Sequence, residues 1–521
     1  METHSNEKPR RLRCLSPWDG SEIGDVDVDD APGAKLAVER ARAAQVSWAE
    51  AGFSRRASLL IEARDLFVKK APALVELLVK ENGKPPVEAW YSEILPNVEL
   101  FTYWAKSAER FLRPEKVKLE RTKYPGKSAR VHLVPKGVIA VISAWNYPVA
   151  LSLRAIVPAL MAGNTVVFKP SSEALLVSKL LMECFEETLP KDVLVPFYGP
   201  GEAGSRIIEA GVDHLAFIGS VEVGREVAAL AARRFTSVAL ELGGKDAAIV
   251  LEDADLDRVV EGIVWGAFTN GGQNCASIER LLVHRSIADA LIPRLVTRIE
   301  ALRVCASERG ACDVGPLRSQ GQLDSVRRQL DDALGKGARV LVGGKAAGDG
   351  RGFGFAPTLL GDVTGEMLVW TEETFGPLLP LRLFSNLDEA ISLANDTRYG
   401  LTSSIWTSDL DLARDLAPRL RCGVVTANNH AFTAAMPFVP WGGTGLTGLG
   451  STNGRQGLME MVRPQLVLTD KAKGHEFFWY PYDEANLGLA KALLGFITGQ
   501  GGLFKVLGLI KRSSRTRAAQ E

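Results

Sequence analysis

The sequence lacks an excess of charge of either sign, and it contains very little histidine. Its 521 residues carry 62 Lys and Arg against 62 Asp and Glu, so no overall field favours binding to nucleic acid. No two of the six histidines lie at metal-ligand spacing with a cysteine, which argues against a zinc site. We therefore expect neither a nucleic-acid partner nor a bound metal.

Cysteine is scarce as well, and the spacing of the six cysteines shows no pairing. In a chain of this length, that pattern is typical of reduced thiols in a cytosolic protein. We expect Cys184 and Cys422 to be buried packing residues, and Cys305 and Cys312 to be surface thiols without a role. The remaining two are Cys14 and Cys275.

The sequence also lacks a run of the roughly eighteen apolar residues that a membrane-spanning helix needs. Its N-terminus, METHSNEKPRRLRC, is charged and has no apolar segment of the kind found in a secretion signal. The hydrophobic, charged, glycine and proline contents are those of a soluble globular enzyme. The length predicts two or three domains, and we expect a cytoplasmic location.

Helices and strands are predicted to alternate along most of the chain. Residues 32–80 and 86–111 show helical apolar spacing, and residues 130–145 resemble a hairpin arm leading into a buried strand. Short β-branched runs then alternate with helical patterns, which predicts parallel sheets with helices on both faces. A second such series begins at residue 238, so we place the boundary between two lobes near Gly243.

Two glycine-rich turns follow predicted strands and are candidates for binding phosphate. GPGEAG (199–204) matches the G-x-G-x-x-G pattern of dinucleotide-binding proteins, although a plain turn fits the same residues. GSVEVG (219–224) opens a helix, where backbone N–H groups and the Ser220 hydroxyl could hold a pyrophosphate. Two such turns in one sheet favour a nucleotide-binding lobe.

Cys275 lies in GGQNCASIER, among glycines and amides rather than the apolar neighbours of a core cysteine. No disulfide partner is close by in the sequence, so a thiolate that performs chemistry is the remaining interpretation. Glu241 follows the apolar run SVAL and precedes LGG, which predicts a carboxylate at a strand end, either catalytic or capping a helix. No G-x-S-x-G motif is present, and His430 is expected to be a structural loop histidine.

Seven motifs in order give the sequence a specific resemblance. SAWNYPV, VVFKPSS, FIGSVEVG, LELGGKDAAIV, GGQNCASIER, EETFGPLLP and NDTRYGLTSSIW resemble the motif series of the NAD(P)-dependent aldehyde dehydrogenases, between about residues 15 and 470. The resemblance implies an α/β fold with two parallel-sheet lobes, a Rossmann-like cofactor lobe and a catalytic lobe, plus a β-hairpin oligomerisation element. The implied domains are 1–113 with 136–243 for NAD(P), 244–454 for catalysis, 114–135 with 455–470 for oligomerisation, and 471–521 as a C-terminal extension.

The resemblance also implies a reaction, the oxidation of an aldehyde to a carboxylic acid. Cys275 would attack the aldehyde to give a thiohemiacetal, and its own N–H and the Asn146 amide would hold the oxyanion. Hydride transfer to the nicotinamide would leave a thioester, which water activated by Glu241 would hydrolyse. There are two alternatives: a CoA-acylating dehydrogenase, and a non-catalytic binding protein of the same fold.

The same motif matching implies a set of residues that contact NAD or NADP. Lys169 would contact the adenosine ribose, and Glu373 and Phe375 the nicotinamide ribose and ring. Ser172 stands where many NAD-preferring relatives have a glutamate, with Glu173 displaced by one, so we expect NADP to be accepted. The full set is Ser143, Ala144, Trp145, Lys169, Ser172, Gly199, Gly219, Ser220, Gly224, Leu242, Gly243, Glu373 and Phe375.

Arg154 is the candidate substrate-binding residue. It lies eight residues beyond Asn146, where succinic semialdehyde dehydrogenases place one arginine that grips the substrate carboxylate. Aromatic-aldehyde members carry an arginine there too, and the second semialdehyde arginine is replaced by Thr269. A semialdehyde, an aromatic aldehyde and a medium-to-long aliphatic aldehyde therefore remain open.

The end of the chain carries two further expectations. The segments 114–135 and 463–470 match the hairpin and terminal strand that pair between family members' subunits, so we expect a homodimer or homotetramer. Beyond residue 470, an aromatic cluster at 477–482 precedes an apolar helical stretch at 487–497 and a basic flank at 511–517. Our hypothesis is that the cluster docks on the enzyme while residues 503–517 touch a membrane surface or a neighbouring subunit. The alternative is a helix packed on its own catalytic lobe.

Overall fold

In the computed structural model, the chain forms two compact units, Met1–Arg113 with Leu133–Pro464, and Pro114–His132 with Gln465–Glu521. The structure describes residues 11–121, 123–305, 307–308, 312–347, 351–473, 476, 478–480, 482–502, 504 and 506–509. Most of the predicted membrane-contacting segment 503–517, including its basic flank, lies outside the described residues. So do residues 1–10, and residues 477 and 481 of the aromatic cluster.

The described helices and strands alternate as predicted. The strands are β1 (Arg11–Leu15), β2 (Glu22–Asp27), β3 (Glu115–Val117), β4 (Lys127–Pro135), β5 (Val138–Ile142), β6 (Thr165–Lys169), β7 (Leu194–Pro196), β8 (His214–Ile218), β9 (Ser237–Glu241), β10 (Asp246–Val250), β11 (Ile278–His284), β12 (Arg339–Val342), β13 (Thr358–Gly361), β14 (Leu378–Phe384), β15 (Thr402–Trp406), β16 (Val424–Ala427), β17 (Gly448–Leu449) and β18 (Val462–Asp470). The helices are α1 (Ala31–Glu50), α2 (Gly52–Leu77), α3 (Pro86–Ala89), α4 (Leu95–Leu112), α5 (Pro148–Met161), α6 (Leu175–Glu186), α7 (Ala203–Glu209), α8 (Val221–Ala232), α9 (Leu256–Phe268), α10 (Ala288–Glu300), α11 (Gln320–Gly335), α12 (Leu368–Thr371), α13 (Leu387–Asn395), α14 (Leu410–Leu416), α15 (Gly454–Met459) and α16 (Glu484–Ile497).

The first unit contains two large sheets, and both are mixed rather than wholly parallel. One has the order β17-β9-β8-β5-β6-β7, and the other has the order β12-β13-β14-β11-β10-β15-β16. Strand β17 runs antiparallel to β9, and β12 runs antiparallel to β13, while the remaining pairs are parallel. The predicted α/β fold with two parallel-sheet lobes is therefore confirmed, and each sheet adds one short antiparallel strand at an edge.

The central strands of the first sheet are buried, and the residues that follow them lie along one edge of the sheet. Strands β5, β6 and β8 are buried on both faces, as their β-branched and aliphatic residues predict. In the parallel register Ile142 lies opposite Lys169, and Ile218 lies opposite Glu241. The residues that follow these strands thus meet at the carboxyl edge, which is where α/β sheets usually bind ligands.

The second sheet begins directly after the first. Strand β9 ends at Glu241 and β10 begins at Asp246 in the other sheet, so the chain changes sheets across residues 242–245. The predicted lobe boundary, near Gly243, falls within these residues. Strand β17, which comes from the predicted catalytic segment 244–454, nevertheless pairs with β9 of the first sheet.

The second unit contains a three-stranded sheet with the order β18-β4-β3 and helix α16. Lys127 forms ion pairs with Asp470 and with Glu476, and the Ser128 hydroxyl lies 2.8 Å from that of Thr469. Helix α16 begins after Asp483, whose side chain accepts a hydrogen bond from the Asn486 N–H. The helix predicted at 487–497 is confirmed. No helix in the described part of the chain is long and apolar enough to cross a membrane.

Candidate active site

Cys275 lies in a tight loop between the Thr269–Gly272 turn and strand β11. The turn has positive φ at Asn270 and at the two glycines that follow it. A β-carbon on Gly272 would come within 2.3 Å of the Gly376 carbonyl oxygen, so this backbone approach requires glycine. The glycines before the cysteine therefore shape the loop that presents it. After the loop, the Ala276 carbonyl lies 2.9 Å from His430 Nε2.

The surroundings of Cys275 differ from those its sequence neighbours indicate. The half-buried thiol packs against an apolar cluster of its neighbour Ala276 and of Leu401, Ala431 and Trp441, which the fold brings from elsewhere in the chain. Burial raises the pKa of the Cys275 thiol to about 12, and the negative charge of Glu241 contributes to that rise. In the structure as it stands, the group is a thiol.

Asn146 lies beside the cysteine loop, as the motif predicts. Its side-chain Nδ2 donates to the Gln273 carbonyl at 3.2 Å, two residues before Cys275. Its backbone carbonyl accepts from the buried Lys84 ammonium at 2.6 Å and from the Asn270 side chain at 3.0 Å. These bonds fix Asn146 in relation to the cysteine loop from both its side chain and its backbone.

Glu241 ends strand β9 and is buried, with 9% of its surface exposed. Its Oε2 lies 3.4 Å from Nη1 of Arg154, and its buried Oε1 has no hydrogen-bond partner among the described residues. The structure thus brings Arg154, predicted as a substrate ligand, to the predicted general base. Both residues influence the Cys275 thiol, because the charge of Arg154 opposes the rise in its pKa.

A cavity of about 660 Å³ has Cys275 and Arg154 in its wall. Most of the other lining side chains are apolar, and two charged residues at the wall, Glu261 and Arg298, form an ion pair of 2.8 Å. Thr269 also lines the cavity, and its hydroxyl donates to Glu88 at 2.7 Å. Large apolar residues in the wall are Val87, Tyr91, Leu100, Tyr147, Leu151, Val264, Trp265, Phe268, Leu302, Val314 and Phe432.

The turn at the start of α8 has the geometry of a pyrophosphate site. Ser220 caps the helix and accepts a hydrogen bond from Val223 N at 3.3 Å, directly after strand β8. A β-carbon on Gly224 would meet the Leu242 side chain at 2.6 Å, so glycine allows the helix to pack on the sheet edge. At Gly199, a β-carbon would meet Ala203 at 2.7 Å, where the shorter helix α7 begins. The backbone N–H groups at these helix starts suit an anion.

Lys169 ends strand β6 and carries a buried ammonium group. Its Nζ donates to the Pro170 carbonyl at 3.0 Å, and burial lowers its pKa to about 8. Ser143, at the end of the adjacent strand, bonds the Lys169 carbonyl through its N–H, while its hydroxyl lies 2.9 Å from that of Ser152. Ala144 follows it and is half-buried. The ammonium at this sheet edge suits the hydroxyl groups of a ribose.

Glu373 and Phe375 lie near the chain segment that follows strand β9. Glu373 accepts from the Gly244 N–H at 3.0 Å, and a β-carbon on Gly243 would lie 2.2 Å from its carboxylate. Burial raises the pKa of Glu373 to about 8. The Phe375 ring lies edge-on to Trp145 with centroids 5.5 Å apart. A glutamate side chain and two aromatic rings in this region fit a dinucleotide.

Sequence reasoning missed the buried ion pair that supports this part of the site. The Glu279 carboxylate accepts from Lys245 Nζ at 2.7 Å and from the Thr374 and Phe375 N–H groups at 2.7 and 2.8 Å. It thereby fixes the turn that carries Glu373. Charged residues inside two otherwise apolar strand patterns, LGGKDAAIV and SIERLLV, were the available signal.

Two cysteines contradict the expectation of unpaired surface thiols. Cys305 and Cys312 form a disulfide with Cα atoms 5.1 Å apart, and Cys305 is buried. The loop folds back because Arg303 pairs with Asp313 at 2.7 Å and the Cys305 N–H donates to the Val314 carbonyl. A separation of seven residues in a loop was the missed signal. Cys184 is buried and Cys422 half-buried, and both are free like Cys14 and Cys275.

His430 has a buried position with two hydrogen-bond contacts, which fits the structural role expected for it. His430 is buried, its Nδ1 lies 3.0 Å from the Ser404 hydroxyl, and burial lowers its pKa to about 4. Within the described ranges, no three His, Cys, Asp or Glu side chains are grouped so that they could hold a metal ion.

A free cysteine in a cavity wall, a buried carboxylate and dinucleotide-type turns at the edge of an α/β sheet fit an NAD(P)-dependent oxidoreductase. The chain belongs to the aldehyde dehydrogenase family, because the model described as "Aldehyde dehydrogenase family" matches residues 3–467. It therefore oxidises aldehydes to carboxylic acids, with NAD or NADP as the hydride acceptor.

Individual relatives agree with this assignment. The chain is 35% identical over 496 residues to a Methylomonas protein named 4,4'-diapolycopene aldehyde oxidase, covering 95% of this chain and 92% of that one. It is 36% identical to a Mycobacterium ulcerans (strain Agy99) protein named as a succinate-semialdehyde dehydrogenase (NADP(+)) 2, covering 86% and 87%. A solved Mycobacterium tuberculosis aldehyde dehydrogenase complexed with NAD+ has a TM-score of 0.85 and 31% identity, covering 91% and 97%.

Proposed function

We propose that this enzyme oxidises a long, uncharged, apolar aldehyde, with Cys275 as nucleophile, Glu241 as general base and Asn146 as oxyanion donor. The observation that carries the proposal is the cavity of about 660 Å³, which is lined mainly by apolar side chains and has Cys275 in its wall. The name of the Methylomonas relative, an aldehyde oxidase acting on 4,4'-diapolycopene aldehyde, supports the same direction.

The chain's own residues account for the covalent steps. The Cys275 sulfur bonds to the aldehyde carbon as the thiol proton passes to bulk water, and the Asn146 amide and the Cys275 N–H stabilise the oxyanion. When bound, the nicotinamide accepts the hydride of the aldehyde carbon. Glu241 then takes a proton from water as the water oxygen bonds to the thioester carbon, and the C–S bond breaks to return the thiol.

We also propose the cofactor contacts. The start of α8, with Gly219, Ser220 and Gly224, holds the pyrophosphate. Lys169 binds the adenosine ribose and Glu373 the nicotinamide ribose. The remaining contacts come from the residues around these points, namely Ser143, Ala144, Trp145, Ser172, Gly199, Leu242, Gly243 and Phe375.

NADP is proposed as an accepted cofactor. Ser172 leaves room for a 2′-phosphate, and the neighbouring Glu173 carboxylate is paired with Arg318 at 3.2 Å rather than free to repel it. We expect kcat/KM for NADP to equal or exceed that for NAD, and Ser172→Glu to shift the ratio towards NAD. A preference for NAD by more than about tenfold, or about 1.4 kcal/mol, in the unaltered enzyme would contradict the prediction.

Chain length is the second testable property. Each methylene buried in the cavity contributes about 0.8 kcal/mol, so kcat/KM should rise about fourfold per added methylene from butanal towards decanal until the cavity is filled. The rates are measured by the absorbance of the reduced nicotinamide. A flat profile, or a fall beyond butanal, would exclude an apolar substrate.

A semialdehyde is the second candidate, favoured by Arg154 in the cavity wall and by the names of the mycobacterial relatives. Arg154 is engaged with Glu241, and the other semialdehyde arginine is Thr269, which is bonded to Glu88. Succinic semialdehyde is compared with butanal, an uncharged aldehyde of the same chain length. If the anion is oxidised more efficiently than butanal, the second candidate replaces the first.

The domain division stays a proposal: 1–113 with 136–243 for the cofactor, 244–454 for catalysis, 114–135 with 455–470 for assembly, and 471–521 as an extension.

Leu466, Val467 and Leu468 of β18 are exposed, which supports a homodimer or homotetramer that covers this strand. Light scattering at micromolar concentration should show one of these assemblies, and a monomer would contradict it. Cytoplasmic location and membrane contact through residues 503–517 stay predictions.

A further inference from the structure

Arg154 is fixed in the wall of the cavity by three contacts. It lies on helix α5 and has 7% of its surface exposed. One guanidinium nitrogen lies 3.4 Å from Glu241 Oε2, and another donates to the Ala434 carbonyl at 2.9 Å. The guanidinium carbon lies 5.7 Å from the centre of the Trp441 ring. Its orientation is therefore set by the protein before any substrate binds.

The contact with Glu241 joins two buried charges. Both side chains are about nine-tenths buried, and the cavity beside them is mainly apolar. A buried carboxylate that loses its partner retains the cost of desolvation without compensation. The pair therefore offsets part of the cost of burying the Glu241 carboxylate.

The two oxygens of Glu241 have different surroundings. Oε2 is held by Arg154, whereas Oε1 is buried without a hydrogen-bond partner in the described part of the chain. A general base needs one oxygen with a free lone pair in a fixed direction. This arrangement leaves Oε1 as the oxygen that can accept a proton.

We propose that Arg154 is a positioning residue for Glu241: it holds Oε2, pairs with the buried carboxylate and directs Oε1 to the water that hydrolyses the acyl-enzyme. The proposal rests on the proposed role of Glu241 as the base. In that step water gives its proton to Oε1, its oxygen bonds to the acyl carbon, and the C–S bond to Cys275 breaks. The proton returns to the sulfur, and the carboxylic acid leaves.

This role changes the interpretation of Arg154 as a substrate ligand. If the guanidinium gripped a substrate carboxylate, it would either leave Glu241 or hold two carboxylates at one site. Leaving Glu241 would remove the support of the base. Holding two carboxylates at one site would bring two negative charges together. The pair therefore selects for aldehydes without a distal negative charge, in agreement with the apolar wall.

The test compares Arg154→Gln and Arg154→Lys with the unaltered full-length enzyme on decanal. Displacing a catalytic group by about 1 Å can cost about a hundredfold, so we expect kcat of Arg154→Gln to fall between about tenfold and a hundredfold. KM should stay within about threefold, and the first-turnover burst of NAD(P)H should persist because acylation precedes the step affected. Arg154→Lys, which keeps the charge, should recover part of kcat.

A double-mutant cycle with Glu241→Gln separates this proposal from the one on which it rests. If Arg154 acts through Glu241, adding Arg154→Gln to Glu241→Gln should give no further loss of kcat. Additive losses of kcat would overturn the positioning role. The same holds if Arg154→Gln keeps a normal kcat on decanal and raises KM for succinic semialdehyde alone. If Glu241→Gln itself hydrolyses the acyl-enzyme at the normal rate, the proposed function fails instead. An intact burst in each variant shows that the site is folded.

Discussion

Replacing Cys275 with serine should reduce kcat by at least about a thousandfold, because the serine hydroxyl is a far weaker nucleophile without a base paired to it. The loss should appear in the first turnover as well as in the steady state, since the bond to the aldehyde carbon never forms. The measurement is NAD(P)H absorbance with decanal. Cys422→Ser is the matched control, because Cys422 is a free, half-buried thiol that packs in a different cluster.

The control should retain the activity of the unaltered enzyme. If Cys275→Ser still oxidised decanal within about tenfold of the normal rate, Cys275 would not be the nucleophile. A loss in Cys422→Ser of the same size would show that the assay reports folding rather than chemistry.

Replacing Glu241 with glutamine should slow the steady state by about 10² to 10⁴, the usual contribution of a general base. The first-turnover burst of NAD(P)H should remain, because water is needed after hydride transfer and not before it. Added CoA should not restore turnover. Restoration by CoA would support the acylating alternative, in which CoA rather than water accepts the acyl group.

The same substitution should have the opposite effect on alkylation of the thiol. The negative charge of Glu241 helps to raise the pKa of Cys275 to about 12, so removing that charge lowers the pKa and increases the thiolate fraction at a given pH. Below that pKa, iodoacetamide should therefore modify Cys275 faster in Glu241→Gln than in the unaltered enzyme. Slower alkylation would mean that Glu241 acts as the base for the thiol itself.

The site residues on continuous motifs could be predicted from the sequence because strand ends fix their position. Glu241 ends β9 as the apolar run before it indicates, and the cysteine loop follows its glycines. Parallel register then brings Lys169 and Glu241 to the same sheet edge. The alternation of strands and helices was correct for the same reason: it depends on local patterns of apolar residues.

Features that depend on contacts between residues far apart in the chain could not be predicted from the sequence. Arg154 and Glu241 lie 87 residues apart and meet only when α5 packs beside the end of β9. The apolar cluster around Cys275 comes from Leu401, Ala431 and Trp441, which no local pattern connects to it. Strand β17 is only two residues long and gives no periodicity to detect.

The disulfide was missed for a different reason. The spacing between Cys305 and Cys312 permits a closed loop, but the choice between paired and free thiols depends on whether the backbone folds back. In the folded chain Arg303 pairs with Asp313 beside the two cysteines, a contact that the sequence does not indicate.

In the proposed reaction, an apolar aldehyde becomes covalently attached to Cys275 and is released by water that Glu241 activates. The most direct measurement is mass spectrometry of the full-length Glu241→Gln enzyme, quenched after mixing with decanal and the cofactor. We predict a mass increase equal to one decanoyl group per chain, located on the peptide that contains Cys275, with one NAD(P)H formed for each group attached. An unmodified Cys275 in an enzyme that has produced NAD(P)H, or an acyl group on another residue, would contradict the claim.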